Sequence, residues 1–161
     1  MADNWRRLAP GEIGIAMPIF GSAIRYSDVR VYARGYTPFQ PSRTAVTPNG
    51  HIYFNRADHK PDFSRTLGDS AWIIHELAHV WQHQTGVNVL LRGIFERQYD
   101  YVLDRNKPLA DYKIEQQAGI VEDYFRLRNG MQFRHGSGTR EDYEAVIPFV
   151  PSTSRAQVPA R

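Results

Sequence analysis

Two histidines four residues apart, His75 and His79, stand in the most continuously helical stretch of this 161-residue chain. From Thr66 to Gln84 the pattern predicts one helix. Thr66 and Asp69 have the spacing of a capping pair at its start, and Gly86 is a terminator just past its end. Ile73, Ile74, Leu77, Ala78, Val80 and Trp81 surround the two histidines and Glu76 with apolar side chains, so this helix must be substantially buried. Buried imidazoles and a buried carboxylate are costly without partners. The fold therefore has to bring something to that helix face that satisfies them.

Helix geometry says what that something is. Four residues turn the helix by about 400°, so both imidazoles leave the same face one turn apart. Two ring nitrogens at that spacing can reach one zinc ion at about 2.0–2.1 Å. Glu76 lies about 100° around the helix, where it can approach a metal-bound water without being a ligand. Zinc lowers the pKa of such a water to about 7, and a carboxylate then takes its proton as the water attacks a carbonyl. The spacing His75-Glu76-Leu77-Ala78-His79 is thus the HExxH pattern, with His75 and His79 as expected Zn2+ ligands and Glu76 as expected base.

A third ligand is required. His83 continues the series, but about 12 Å of helix axis separates it from His75, too far for one straight helix to bring all three to one ion. The metzincin extension needs glycine at position 82 and histidine at 85; the chain has Gln82 and Thr85, which excludes that subclass. Later carboxylates remain: Asp100, Asp104, Asp111, Glu115 and Glu122. Glu115 is preferred, because Ala118 and Gly119, three and four residues on, permit close helix approach on its own face. Glu122 shares that face and is the alternative. For a transition-state donor, Tyr101, Tyr112, His135 and Tyr143 are all available, and spacing selects none of them.

Elsewhere the chain alternates short elements. Residues 10–20 read as a helix with Pro10 in its first turn, and 29–32 as a strand. Residues 44–47 and 51–55 flank Pro48-Asn49-Gly50 and read as a hairpin. Further helices are expected over 87–98 and 111–129, with an irregular stretch between them, and a last strand over 143–150. With 42% hydrophobic and 23% charged residues the chain reads as one soluble domain, residues 1–150, followed by a loose tail, 151–161.

Composition removes several function classes. The chain has no cysteine, hence no disulfide, thiol nucleophile or thiolate metal site. Its formal charge is +3, with lysine and arginine scattered, so no nucleic-acid stripe is expected. No apolar run approaches a membrane span. The start, Met1 to Arg7 and then Pro10-Gly11-Glu12, lacks the apolar core of a signal peptide. A cytoplasmic location in the producing cell is expected, with export left to another machine.

The run His75 to Gln82 resembles a bacterial family of zincin-like domains with HELxHxxQ signatures, encoded near contractile injection and type VI secretion clusters. Tyr26 to Val31 and Ala45 to Phe54 look like that family's upstream strands. Glu115 to Phe125 resembles the later helix of VgrG-associated members, including metallopeptidase domains fused to VgrG spike tips. The resemblance spans roughly residues 10–129. It implies an α+β, zincin-like fold: a small mixed or antiparallel sheet, an HExxH helix and a second ligand-bearing helix. It also implies Zn2+ held by His75, His79 and Glu115, with Glu76 as catalytic base.

Zincins commonly set an edge strand beside the metal, and the hairpin strand 51–55 is the expected edge. The implied activity is that of a zinc-dependent peptidase or amidase, acting as a secretion-delivered effector. Peptides, proteins or cell-wall peptides would be its substrates, and a VgrG-type spike or an immunity protein its partner. The alternative is a non-catalytic adaptor of the spike that keeps the fold as scaffold. One departure stands out. Thermolysin-type second helices carry an acid four residues beyond the ligand glutamate, and here that position is Gly119.

Overall fold

The computed structural model describes residues 4–151; the tail expected at 151–161 lies, beyond Pro151, outside the described residues. Among these, four short strands and five α-helices alternate in an α+β arrangement. Strand β1 (Trp5–Arg7) leads into helix α1 (Pro10–Phe20), where Pro10 sits in the first turn and Pro18 near the end. Strands β2 (Arg30–Tyr32), β3 (Ala45–Val46) and β4 (Ile52–Phe54) follow. The long helix α2 (Leu67–Gln84), the short α3 (Val89–Phe95), then α4 (Ile114–Arg128) and α5 (Arg140–Val146) complete the order.

The sheet is mixed, in the order β1-β2-β4-β3. β1 with β2 and β3 with β4 run antiparallel, whereas β2 with β4 runs parallel, Val31 opposite Ile52. The hairpin expected around Pro48-Asn49-Gly50 is present, and Gly50 takes the left-handed conformation (φ +80°) that its turn demands. A side chain at Gly50 would also run into the His83 ring, which lies on the surface away from the other two histidines.

Two expectations need correction. Strand β4 is buried throughout and lies inside the sheet, so residues 51–55 are not the edge; β3 is. The expected strand over 143–150 is helix α5 and its exit. Thr139 and Asp142 close a capping box at its start, and the buried residues Tyr143, Val146, Ile147 and Val150 recur at the helical spacing of three, four and seven.

Helix α2 is the spine of the core. Thr66 Oγ1 accepts from Asp69 N–H at 3.2 Å at its start, as the capping pair predicts, and Gly86 turns the chain at φ +95° beyond its end. It packs along α4, with α1 crossing nearby. Ile73, Ile74, Leu77 and Val80 of α2 and Ile120 and Val121 of α4 are all fully buried in the core these helices share. Full burial of an aliphatic side chain stabilises by about 1.5–3 kcal/mol, so the α2–α4 packing is a principal source of stability and holds the polar faces of both helices in register.

Candidate metal centre

His75 and His79 emerge from the middle of α2, and both are buried. Glu115 emerges from the first turn of α4, opposite them. Its Oε2 lies 3.3 Å from His75 Nε2 and 3.2 Å from His79 Nε2. One ligand atom from each of the three residues falls within 4.8 Å of the others. Bonds of about 2.0–2.1 Å to a tetrahedral zinc would set neighbouring ligand atoms about 3.3–3.4 Å apart. The observed carboxylate-to-imidazole separations match that edge length, so the donor set fits zinc in chemistry and in spacing.

The far side of each imidazole is tied as well. His75 Nδ1–H donates to Glu122 Oε2 at 3.1 Å, and a carboxylate can only accept there. His79 Nδ1 lies 2.8 Å from Gln82 Oε1. The Gln82 amide nitrogen is already committed to Ile114 C=O (2.9 Å) and to Gln117 Oε1 (3.0 Å), so Gln82 Oε1 is the acceptor. Gln117 in turn donates to Tyr112 C=O at 2.8 Å. Both rings therefore keep their proton on Nδ1 and turn Nε2 toward Glu115. Such outer partners fix tautomer and ring orientation at metal-type sites.

Glu122, the alternative third ligand, thus serves as a support for His75. Its other oxygen accepts from Arg126 Nε at 2.9 Å, and Arg134 lies at 3.5 Å. This carboxylate sits one turn beyond Gly119 and supplies from there what an acid at 119 cannot. Gly119 itself packs against the His135 ring rather than easing contact with α2; a Cβ there would lie 3.3 Å from His135 Cδ2.

Electrostatics follow from this crowding. Burial works against charge on His75, yet Glu115 and Glu122 outweigh it and raise its pKa to about 10. Burial likewise opposes charge on His79, and Glu115 reverses that effect and raises it. Glu115 is desolvated too, but His79 and His75 hold it well below the usual carboxylate range. Glu122, against its own burial, is brought down to about 2 by His75 and Arg126. In protein stripped of metal, the cluster holds protons on nitrogen and negative charge on oxygen.

Glu76 is buried beside the cluster, and its Oε2 accepts from Thr47 Oγ1 at 2.7 Å. Thr47 follows β3, so the edge strand reaches over to steady the carboxylate. A cleft of about 380 Å³ opens onto Glu76, His79 and Glu115. Residues 44–48 line one side, Leu90 and Ile94 of α3 another, and Arg97 and Tyr99 also border it.

Spacing alone revealed nothing of Thr47 or Tyr99. Tyr99 stacks on His75 (6.2 Å between ring centroids) and on His135 (5.5 Å). The four sequence candidates for a donor lie elsewhere. The Tyr101 hydroxyl donates to Asp123, which also receives the backbone N–H groups of Arg134, His135 and Gly136. Tyr143 bonds to Tyr101, the Tyr112 hydroxyl accepts from Asp104 N–H, and His135 lies behind Tyr99 and alongside Glu122. Of the other carboxylates weighed as ligands, Asp100 approaches only His135, and neither Asp104 nor Asp111 joins the cluster.

No family model matches the chain. Over 138 residues it is 44% identical to the type VI secretion system spike protein VgrG2b of Pseudomonas aeruginosa, an alignment that takes in 80% of this chain. The chain spans 14% of the length of that much longer protein. It is also similar to the solved effector domain of Pseudomonas aeruginosa VgrG2b, with 45% identity and a TM-score of 0.73 over 77% of this chain and 75% of that one. Agreement in sequence and fold over three quarters of a solved domain has one meaning: the chain belongs to the family of the VgrG2b effector domain.

Proposed function

We propose that this chain is a zinc-dependent hydrolase of the peptidase or amidase type, with a zincin-like catalytic arrangement, acting as a type VI secretion effector. The observation that carries the reading is the convergence of His75, His79 and Glu115, with the carboxylate at tetrahedral ligand distance from both imidazoles, beside the buried carboxylate of Glu76. His75, His79 and Glu115 would hold the ion. Zinc, when bound there, supplies Lewis acidity toward a carbonyl and lowers the pKa of water to about 7. The family membership supports the effector role, and the spike's name makes a VgrG-type protein the natural carrier.

The chain's own residues do the rest. Thr47 holds one oxygen of Glu76 at 2.7 Å, which leaves the other oxygen to take a proton from attacking water and return it to the departing amine. Gln82 and Glu122 hold the imidazoles in the tautomer that ligation needs. Strand β3 borders the cleft as the sheet's edge, where an extended peptide can add as a further strand. The substrate is accordingly a peptide, a protein or a cell-wall peptide. An immunity protein covering this cleft would be the partner in the producing cell.

Hydrolysis assays paired with metal analysis test the reading. Wild-type protein is expected to carry one zinc and to cleave peptides, and Glu76→Gln to keep the zinc while losing roughly 10²–10⁴-fold in rate. A protein without stoichiometric zinc overturns the site. A Glu76→Gln variant as active as wild type overturns the base, and zinc without hydrolysis returns the chain to the scaffold alternative.

A further inference from the structure

Helix α3 turns Val89 into the protein and is tied down at its far end by charge. Arg92 and Glu96 pair along the helix at 2.9 Å, and Glu96 Oε2 accepts from Ile114 N–H at 2.9 Å, tying α3 to the start of α4. Glu96 is thereby bound to the body of the protein, and Arg92 is held through it. Leu90, Leu91, Ile94 and Phe95 are left 46%, 53%, 56% and 78% exposed. An apolar face of this kind on a helix so anchored needs a cover.

Leu90 and Ile94 stand one helical turn apart and line the cleft that holds Glu76, His79 and Glu115; Leu91 and Phe95 do not. Across the cleft runs β3, an edge strand with no partner on its outer side among the described residues. An extended chain paired with that edge would send alternate side chains to one side. A wall made of Leu90 and Ile94 has no side-chain donor or acceptor, so a polar side chain placed against it would lose water without recompense. The cleft's volume, about 380 Å³, suits a few residues of a chain rather than a broad surface.

We propose that Leu90 and Ile94 form a specificity wall that selects polypeptide segments with a large apolar residue next to the scissile bond. The assignment rests on the peptidase reading and adds its substrate class. Discrimination of a large apolar side chain from a small or polar one in such a pocket runs to about 10–200-fold.

The test uses zinc-loaded Glu76→Gln protein, which retains peptide without cleaving it. Fluorescein-labelled hexapeptides of the form Ala-Ala-Gly-Xaa-Ala-Ala, with leucine, phenylalanine, serine or aspartate at Xaa, are titrated by anisotropy. The leucine and phenylalanine peptides are expected to bind at least tenfold more tightly. Ile94→Asp and Leu90→Asp, added singly, should erase that preference with zinc content and circular dichroism unchanged; both side chains are half exposed, so neither change excavates the core. Phe95→Ser, on the face turned from the cleft, should keep it. Equal binding of all four peptides, no binding of any, a preference surviving Ile94→Asp, or an equal loss in Phe95→Ser would each overturn the wall. Absence of turnover in the wild type would instead sink the hydrolase reading, while the binding preference still decides the wall.

Discussion

The floor and the α3 wall of the cleft are built on opposite principles. On the floor, each of the side chains His75, His79, Glu115 and Glu122 has polar partners, and all of them are buried or nearly so. On the wall, the helix is held by buried Val89 and by Glu96 and leaves four large apolar side chains in water. A satisfied polar network has one low-energy arrangement and tolerates little change. An exposed apolar wall can change residue by residue at small cost to the fold. On the proposed reading chemistry resides in the first and selectivity in the second, and changes in the two should therefore read out differently.

Breaking the floor directly has the largest effect. Glu115→Ala removes the carboxylate that faces both Nε2 atoms, and it should abolish stoichiometric zinc. Metal analysis after dialysis checks this, together with the shift in unfolding temperature caused by a chelator. Wild-type protein should lose stability with chelator, and the variant should not. A variant that still binds one zinc would move the third ligand to Glu122.

The proton balance of the same cluster gives the next effect. The raised pKa of His75, about 10 against an ordinary 6.5, means that metal-free protein gains stability below pH 6.5 that is lost as pH rises through 10. The depressed carboxylates act in the other direction. Glu122, at about 2, contributes above its ordinary 4.5 and loses that contribution as pH falls toward 2. Chelated protein should therefore be most stable between about pH 4.5 and 6.5, by chemical denaturation across pH. Zinc must displace the proton from Nε2, so its apparent affinity should rise with pH from 6 to 9. A flat profile would contradict the proton inventory.

The expectations that held from sequence and those that did not divide along the same line. Helix α2, its caps and the placement of His75, Glu76 and His79 on it were legible because helical periodicity and local capping act over a few residues. The Asn49-Gly50 turn was legible for the same reason. Thr47 against Glu76 and Tyr99 against His75 are long-range contacts, 29 and 24 residues apart, set by tertiary packing with no local pattern to betray them. The edge strand is not legible, because hairpin propensity does not say which strand another segment will join; β2 pairs with β4. Over residues 143–150 the two signals conflict: Val, Ile, Tyr and Phe favour strands as single residues, while their spacing and the Thr139 cap favour the helix that forms.

Within the floor, the outer partners should cost less than the ligands. Gln82→Leu removes the acceptor for His79 Nδ1–H and the donor to Ile114 C=O. Zinc affinity should fall about 10–100-fold, by competition with a fluorescent chelator. The unpaired buried carbonyl should cost a further ~1–3 kcal/mol in denaturant unfolding. A variant with wild-type zinc affinity would make Gln82 a packing residue alone.

The smallest effect belongs to the outer face of the wall, and it bears most directly on the contrast. Phe95 is 78% exposed and borders no part of the cleft. Phe95→Ser should change unfolding free energy by no more than about 0.5 kcal/mol and leave zinc affinity untouched. Leu77→Ala, fully buried in the core, should cost ~2–5 kcal/mol. If Phe95→Ser proved as costly as the core change, α3 would be held in place by its exposed apolar face and not by Val89 and Glu96. The wall would then be part of the core that frames the floor, and selectivity could not vary without disturbing the metal centre.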